Sequence, residues 1–313
     1  MAPTILIVGA TGNTGRSVVS TLSDFTQKPN HHVASYRLVA QTRSASSDAA
    51  KQLASLPNVS ILEKNWIDIT SDWLRENEVT KVFIASHNEP TAFSEESQFH
   101  VVALNGGVKH IVRISTTAAN VRPHFRAYYP RTHWAIETML DTKEFKGMMW
   151  TSLQPNVFTS IVLANAVTLV KEYRKTGKQQ PLSLISPKDV GVGIIDPNDV
   201  GTFAAYVLAS ENPEVHNGMR YVLNGPEDIS GQGIVDLVER EIGAKVEHVV
   251  YKDLSWLDDL AQGPHKALTL SIKSAVETSW EGKCGTDTTS KEAIGIWAPK
   301  TTPAQAFKGY LEG

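Results

Sequence analysis

The chain has 313 residues, 41% of them hydrophobic and 20% charged, with a formal net charge of −3. That balance belongs to an ordinary globular protein and gives no electrostatic reason to expect nucleic acid or an anionic membrane as a partner. A single cysteine, Cys284, excludes an internal disulfide framework and a multi-cysteine metal site.

Thr4 to Val8 is a short, β-branched-rich apolar run that reads as a buried strand. It enters at once, with no signal-like segment before it, and no apolar run nears the ~18 residues of a membrane span, so a cytoplasmic location is expected. Gly9, Gly12 and Gly15 follow at intervals of three, and a helical pattern begins at Ser17. Strand, glycine turn and helix in succession is the context in which such glycines mean dinucleotide binding. Glycines let the backbone approach a pyrophosphate, and the helix N-terminus aims amide hydrogens and a positive dipole end at it. Thr11, Asn13 and Thr14 complete the turn and join the candidate cofactor residues. Residues 36–43 predict the second strand. An acid at its end would bind adenosine ribose hydroxyls. Arg43 stands there instead, with Ser44 and Ser46, and a guanidinium with hydroxyls suits a 2′-phosphate. The expected cofactor is therefore NADP(H) rather than NAD.

Further along, 49–56 predicts a helix, 59–62 a strand, and 71–77 a short helix with Ser71 as its N-cap. The fourth strand covers 81–86. Ala85, Ser86 and His87 lie at or just past its carboxyl end, where open α/β sheets bind ligands. A helix over 95–104 leads to a strand over 110–115 that runs into the hydroxyl cluster Ser115, Thr116 and Thr117. This alternation argues for a parallel, doubly wound sheet. A helix over 132–140 and a strand over 148–153 follow, then one long helix over 159–173. Asp199 is placed as the N-cap of a helix over 200–209. A strand within 221–226, a helix over 233–242 and a strand over 246–251 come next. Beyond Asp253 the pattern weakens, and Trp256, Trp280 and Trp297 suggest a small, less regular lobe packed by aromatics.

Five segments, in order, resemble the NmrA-like branch of the atypical short-chain dehydrogenase/reductases. They are Gly9-Ala-Thr-Gly-Asn-Thr-Gly15, Gly107-Val-Lys-His-Ile-Val-Arg-Ile-Ser115, Thr151-Ser-Leu-Gln-Pro-Asn-Val-Phe158, Ile195-Asp-Pro-Asn-Asp-Val200 and Tyr221-Val-Leu-Asn-Gly-Pro226. The resemblance implies a Rossmann-type doubly wound α/β fold with a smaller C-terminal α/β lobe over a substrate cleft. On that basis residues 1–155, with 190–225 returning to them, form the NADP-binding domain, and 156–313 form mainly the cleft lobe. Members of the family include reductases of quinones, enones or imines and redox sensors that bind the nucleotide without turnover. Some relatives hold the nucleotide while the chemistry is a cyclisation.

By the same resemblance Tyr129 matches the catalytic tyrosine and Thr116, or its neighbours, the catalytic hydroxyl. His133 stands where the wider family has a lysine that lowers the tyrosine pKa and holds the nicotinamide ribose. Lysine near ~10.4 is fully charged at neutral pH, whereas histidine near ~6.5 is mostly neutral but can act as an acid or base itself. The loop Pro155, Asn156, Val157 and Phe158 is expected at the nicotinamide end, with backbone groups free for its carboxamide. Thr117, Tyr128, Tyr129 and Phe158 are expected to face substrate. The expected activity is NADPH-dependent reduction of a small aromatic or alkaloid-like molecule, as an iminium, enone or quinone, in secondary metabolism or detoxification. The alternatives are an NADP sensor acting through a protein partner and a non-redox cyclase or isomerase using Tyr129 and His133 as acid and base. A monomer or homodimer is expected, with no metal.

Overall fold

Strand β1 (Thr4–Val8) is buried at every position, as a central strand covered on both faces must be. In the computed structural model, which describes residues 2–313, it pairs in parallel with β2 (Arg37–Thr42) on one side and β4 (Val79–Ile84) on the other. With β3 (Val59–Glu63), β5 (His110–Ile114), β6 (Met149–Pro155) and β8 (Met219–Leu223) it builds a seven-stranded parallel sheet, ordered β3-β2-β1-β4-β5-β6-β8. The order reverses between β1 and β4, and there the carboxyl ends of the strands open a crevice.

Helices α1 (Gly15–Thr26), α2 (Asp48–Ala54) and α8 (Pro197–Leu208) cover one face of the sheet. Helices α3 (Ser71–Glu76), α4 (Ala92–Asn105) and α5 (Tyr128–Leu140) cover the other. Val18, Val19, Leu22 and Phe25 of α1 meet Val200, Phe203 and Val207 of α8 in the first core. Contact is close at Gly201, where a Cβ would fall 2.1 Å from Ser17 Oγ and 2.2 Å from Thr14 O.

Between β6 and β8 the chain leaves the sheet. Helices α6 (Thr159–Val162) and α7 (Ala164–Thr176) stand where the pattern predicts one helix, because the run breaks at Leu163. Strand β7 (Leu182–Leu184) pairs in parallel with β9 (Val249–Tyr251) to make a second, two-stranded sheet. Helix α9 (Gly231–Ile242), α7 and α14 (Pro303–Glu312) pack on it in a separate core around Leu169, Leu182, Ile234 and Phe307. The stretch beyond Asp253 holds α10 (Trp256–Leu260), α11 (Lys266–Ser271), α12 (Lys273–Trp280) and α13 (Lys291–Ile296). Its tryptophans are not a common cluster. Trp256 is exposed, Trp280 Nε1 donates to Ile185 O at 2.9 Å, and Trp297 packs against the sheet core near Tyr206.

Two caps differ from expectation. Thr70, not Ser71, caps α3, its Oγ accepting from Trp73 N at 3.2 Å. Asp196, not Asp199, caps α8, since Pro197 at the first helical position fixes the start. Asp199 instead accepts the amides of Lys300 and Thr301 at 2.8 Å and anchors the approach to α14.

Candidate functional site

The glycine turn after β1 is built to leave donors free. Gly9 has φ +77°, and a Cβ there would meet Ala85 O at 2.9 Å. At Gly15 a Cβ would sit 2.2 Å from Gly9 O, so the helix can start against the turn only with glycine. Thr14 makes no side-chain cap, the first turn of α1 holds no acid, and the amides of Asn13, Thr14 and Gly15 find no acceptor among the described residues. An anion completes such a helix end. Thr11 Oγ1 touches Thr42 Oγ1 at 3.2 Å, tying the turn to the end of β2. Arg43 follows directly, exposed and without an ion pair among the described residues. Ser44 and Ser46 hydroxyls bond each other at 3.0 Å beside it.

From the turn, a cavity of about 310 Å³ runs along the carboxyl ends of the strands. Of the expected site residues, Thr14, Ala85, Ser86, Ser115, Thr116 and Thr117 line it. So do Tyr129, His133, Pro155, Asn156, Val157 and Phe158. The roof comes from the C-terminal stretch: Trp256 of α10, and Ile272, Ala275, Val276 and Ser279 around α12, which belong to no motif. Among the described residues, no Asp, Glu, Lys or Arg lines this cavity. Among the described residues lining it, one fully buried side-chain polar atom has no hydrogen-bond partner: Ser115 Oγ, on a residue 5% exposed. A buried hydroxyl without a partner calls for an explanation, and a ligand group or an ordered water reaching it from the cavity would supply one.

Three expected residues do different work. His87 is not brought to the cavity; its Nε2 pairs with Glu95 Oε2 at 2.8 Å and its Nδ1 accepts from Glu89 N at 3.1 Å. The Tyr128 hydroxyl donates to Asn88 O, and Tyr128 is not among the described residues lining the cavity. Asn156 reaches the cavity wall, but its Nδ2 contacts Gly193 O, Asn224 Oδ1 and Cys284 O while its Oδ1 accepts from Val157 N. The loop backbone is therefore mostly committed, and among residues 156–158 only the Phe158 amide is left without an acceptor among the described residues.

Tyr129 and His133 sit one helical turn apart on α5, rings edge to face with centroids 6.4 Å apart. Burial pushes the Tyr129 phenol above its ordinary pKa, with only the Thr116 hydroxyl pulling it down. His133 is 3% exposed, and burial followed by the nearby Arg113 charge lowers its pKa to about 3. Burial and the Arg113 charge both disfavour the protonated form of the ring. Behind it lies a charge cluster that sequence reading missed. Glu96, 1% exposed, accepts from Arg113 Nε at 2.6 Å and from Ser86 Oγ at 2.7 Å. The signal was available: an arginine in the middle of a buried strand has to be paired.

A larger cavity of about 1010 Å³ lies on the other side of Asn156, Thr117 and Cys284, beside α5. It is rimmed by Arg122, Arg126, Glu277 and Glu281, and its floor groups bond one another: Gln154 to Glu137, Asn224 to Thr288 and Thr289. The two cavities differ in their linings. The orphan Ser115 hydroxyl, Tyr129 and the mouth toward the glycine turn all belong to the smaller cavity.

A family model described as the NmrA-like family matches residues 1–290. The chain belongs to that family. Among curated relatives, it is similar to an NAD(P)H azoreductase of Xenophilus azovorans, 26% identical over 78% of this chain and 76% of that one. It is also similar to the (4-alkanoyl-5-oxo-2,5-dihydrofuran-3-yl)methyl phosphate reductase of Streptomyces griseus, 25% identical over 76% and 74%. Among solved structures, the NADPH complex of the quinone oxidoreductase QOR2 from Escherichia coli superposes with TM-score 0.71 at 22% identity, covering 97% of this chain and 99% of that one. The negative transcriptional regulator NmrA in complex with NAD superposes with TM-score 0.69 at 14% identity, covering 98% and 94%. These NmrA-like structures share the doubly wound α/β architecture. Among the described residues no helix is long and apolar enough to cross a membrane.

Proposed function

We propose that the protein is an NADPH-dependent reductase of a small, planar, conjugated and uncharged acceptor, of the quinone or enone class. The observation that carries this reading is the cavity at the strand ends, which is mostly apolar, lacks charged side chains and holds Tyr129 beside an unpaired Ser115 hydroxyl. The free amides of Asn13, Thr14 and Gly15 would take the pyrophosphate, Arg43 the 2′-phosphate, and Ser115 the nicotinamide end. When bound, this cofactor supplies a hydride.

The electrostatics of the cavity favour a quinone or enone over other acceptors. An iminium would enter the cavity as a bare cation with no carboxylate in its wall, a costly burial. A simple ketone would leave a localised alkoxide, and Tyr129, held neutral with a raised pKa and no lysine beside it, is a poor source of a stabilised tyrosinate. A quinone or enone spreads the product charge over its own π-system, so a neutral phenol donor at Tyr129 is sufficient. The reductase names of the two curated relatives support the redox reading.

Incubation with NADPH deuterated at C4 and a panel of quinones and enones tests it by mass spectrometry. Deuterium in the product is the expected result. Tight NADPH binding with no acceptor consumed overturns the reading in favour of a sensor, and unlabelled conversion overturns it in favour of non-redox catalysis. Arg43→Glu is expected to weaken NADPH by about 1.5–3 kcal/mol, the worth of a hydrogen bond to a charged group, while NADH affinity moves little; calorimetric titration of both nucleotides checks this. Tyr129→Phe is expected to lower kcat about 10²-fold, the lower end of a general-acid contribution, at nearly unchanged NADPH affinity. Stopped-flow oxidation of NADPH reads that loss directly.

A further inference from the structure

Arg113 lies mid-strand in β5, 0% exposed, and every side of its guanidinium is engaged. Its Nε donates to Glu96 Oε1 at 2.6 Å, Nη1 to Ser152 Oγ at 3.1 Å, and Nη2 to His133 Nδ1 at 2.8 Å. A guanidinium keeps its protons and has no lone pair to accept with. His133 Nδ1 is therefore the acceptor of that last bond, and a neutral ring must carry its one proton on Nε2. The other end of the ring agrees: Nε2 lies 3.2 Å from Asn88 Oδ1, an acceptor.

We propose that Arg113 is a positioning residue that locks His133 as a neutral imidazole with its Nε2–H presented toward the cleft. His133 then neither gives nor takes a proton during the reaction. It offers one fixed, uncharged donor whose strength does not change across the working pH range. An acceptor oxygen of a ligand at the cleft would take the place that Asn88 Oδ1 holds.

The groups packed around the ring support this from each side. From β5 comes the Arg113 cation; from α4 come Glu96 and His100, joined at 3.3 Å. From α5 come Tyr129 and Glu137, whose Oε1 lies 3.6 Å from Arg113 Nη1. Ser86 and Asn88 close the side after β4. Both carboxylates are already committed, Glu96 to Arg113, His100 and Ser86, and Glu137 to Ser152, Gln154 and Arg220. A second positive charge on His133 would stand against Arg113 with no free anion to offset it. The lock rests on the reductase reading only for what its donor meets, because it is a property of the protein without ligand.

The test is made on the full chain without nucleotide, so that it fails or holds independently of any activity. Protein labelled with ¹⁵N-histidine is followed by long-range ¹H–¹⁵N correlation spectra from about pH 8 to about pH 5, the range in which ordinary histidines titrate. The His133 pattern is assigned by its loss in His133→Asn. The expected result is an Nε2-protonated, Nδ1-unprotonated ring whose shifts stay constant over the series. A ring that is protonated on Nδ1, or that titrates near the ordinary value of ~6.5, overturns the proposal. The paired variant Arg113→Met with Glu96→Met, which removes both charges together, is expected to release the ring into a mixture of tautomers. An unchanged Nε2-protonated pattern in that folded variant removes Arg113 as the cause. If the pair does not fold, the wild-type spectra decide.

Discussion

Glu96→Ala is expected to lower stability by about 3–5 kcal/mol, because it strands a fully buried guanidinium without its counter-charge. Arg113 cannot shed its proton to escape the cost, and the remaining nearby carboxylate, Glu137, stands 3.6 Å away and already serves Ser152, Gln154 and Arg220. The loss also unties Ser86 at the mouth of the cleft and His100 within α4. Replacing both partners with methionine is expected to recover a large part of the loss, since two well-packed apolar chains carry no desolvation penalty. Chemical denaturation of the wild type, Glu96→Met, Arg113→Met and the double methionine variant closes the cycle, with Glu96→Ala measured beside it. A loss below about 1 kcal/mol for Glu96→Ala, the scale of an exposed pair, would show that the charge is screened by water and that the cluster organises nothing.

That cluster marks the boundary of what the sequence discloses. The sheet and its helices are legible because alternation of apolar runs and amphipathic stretches is a local property, and the glycine turn is legible because spacing, strand and helix all lie within residues 4–26. Tyr129 and His133 are legible as a pair one helical turn apart. Their chemistry is not, since it depends on Arg113 and Glu96, which are 20 and 37 residues from His133 in sequence and meet it only when α4 and α5 pack on β5. The roof over the cleft is harder still. Ile272, Ala275, Val276 and Ser279 carry no motif, and nothing local tells their stretch that it will lie across the carboxyl ends of the sheet. His87 and Asn156 show a gap of another kind, in what the side chains bond to. Each lies near where a strand-end residue should, but Glu95 in one case and the main chain around Gly193 and Cys284 in the other claim the side chain first.

The buried histidines should make the protein acid-sensitive well before its carboxylates titrate. His133 and His110 are both held at a pKa of about 3, His133 by burial and Arg113, His110 by burial and then Lys81 and His216. His110 is 0% exposed, its Nε2 bonded to Thr151 Oγ1 at 2.9 Å. In the unfolded chain both return to ~6.5, so between about pH 6.5 and about pH 3 the unfolded state binds more protons and stability falls as pH falls. At pH 5 each histidine costs about 2 kcal/mol relative to neutral pH, about 4 kcal/mol together, a large part of an ordinary domain's 5–15 kcal/mol. His100 and His216, also lowered by burial, act in the same direction. Lys81, pushed down to about 8, is protonated in both states throughout this window and adds no slope. Glu96, held well below its ordinary value, adds to the loss only below about pH 4.5, where carboxylates in the unfolded chain take up protons. Denaturation curves at pH 7 and pH 5 measure the difference. His110→Gln should return about 2 kcal/mol of it, because a neutral amide can keep the bond to Thr151 without a proton to gain. A pH-independent midpoint over that range would mean that these rings are solvated, and that the buried polar network around Arg113 is wetter than its geometry allows.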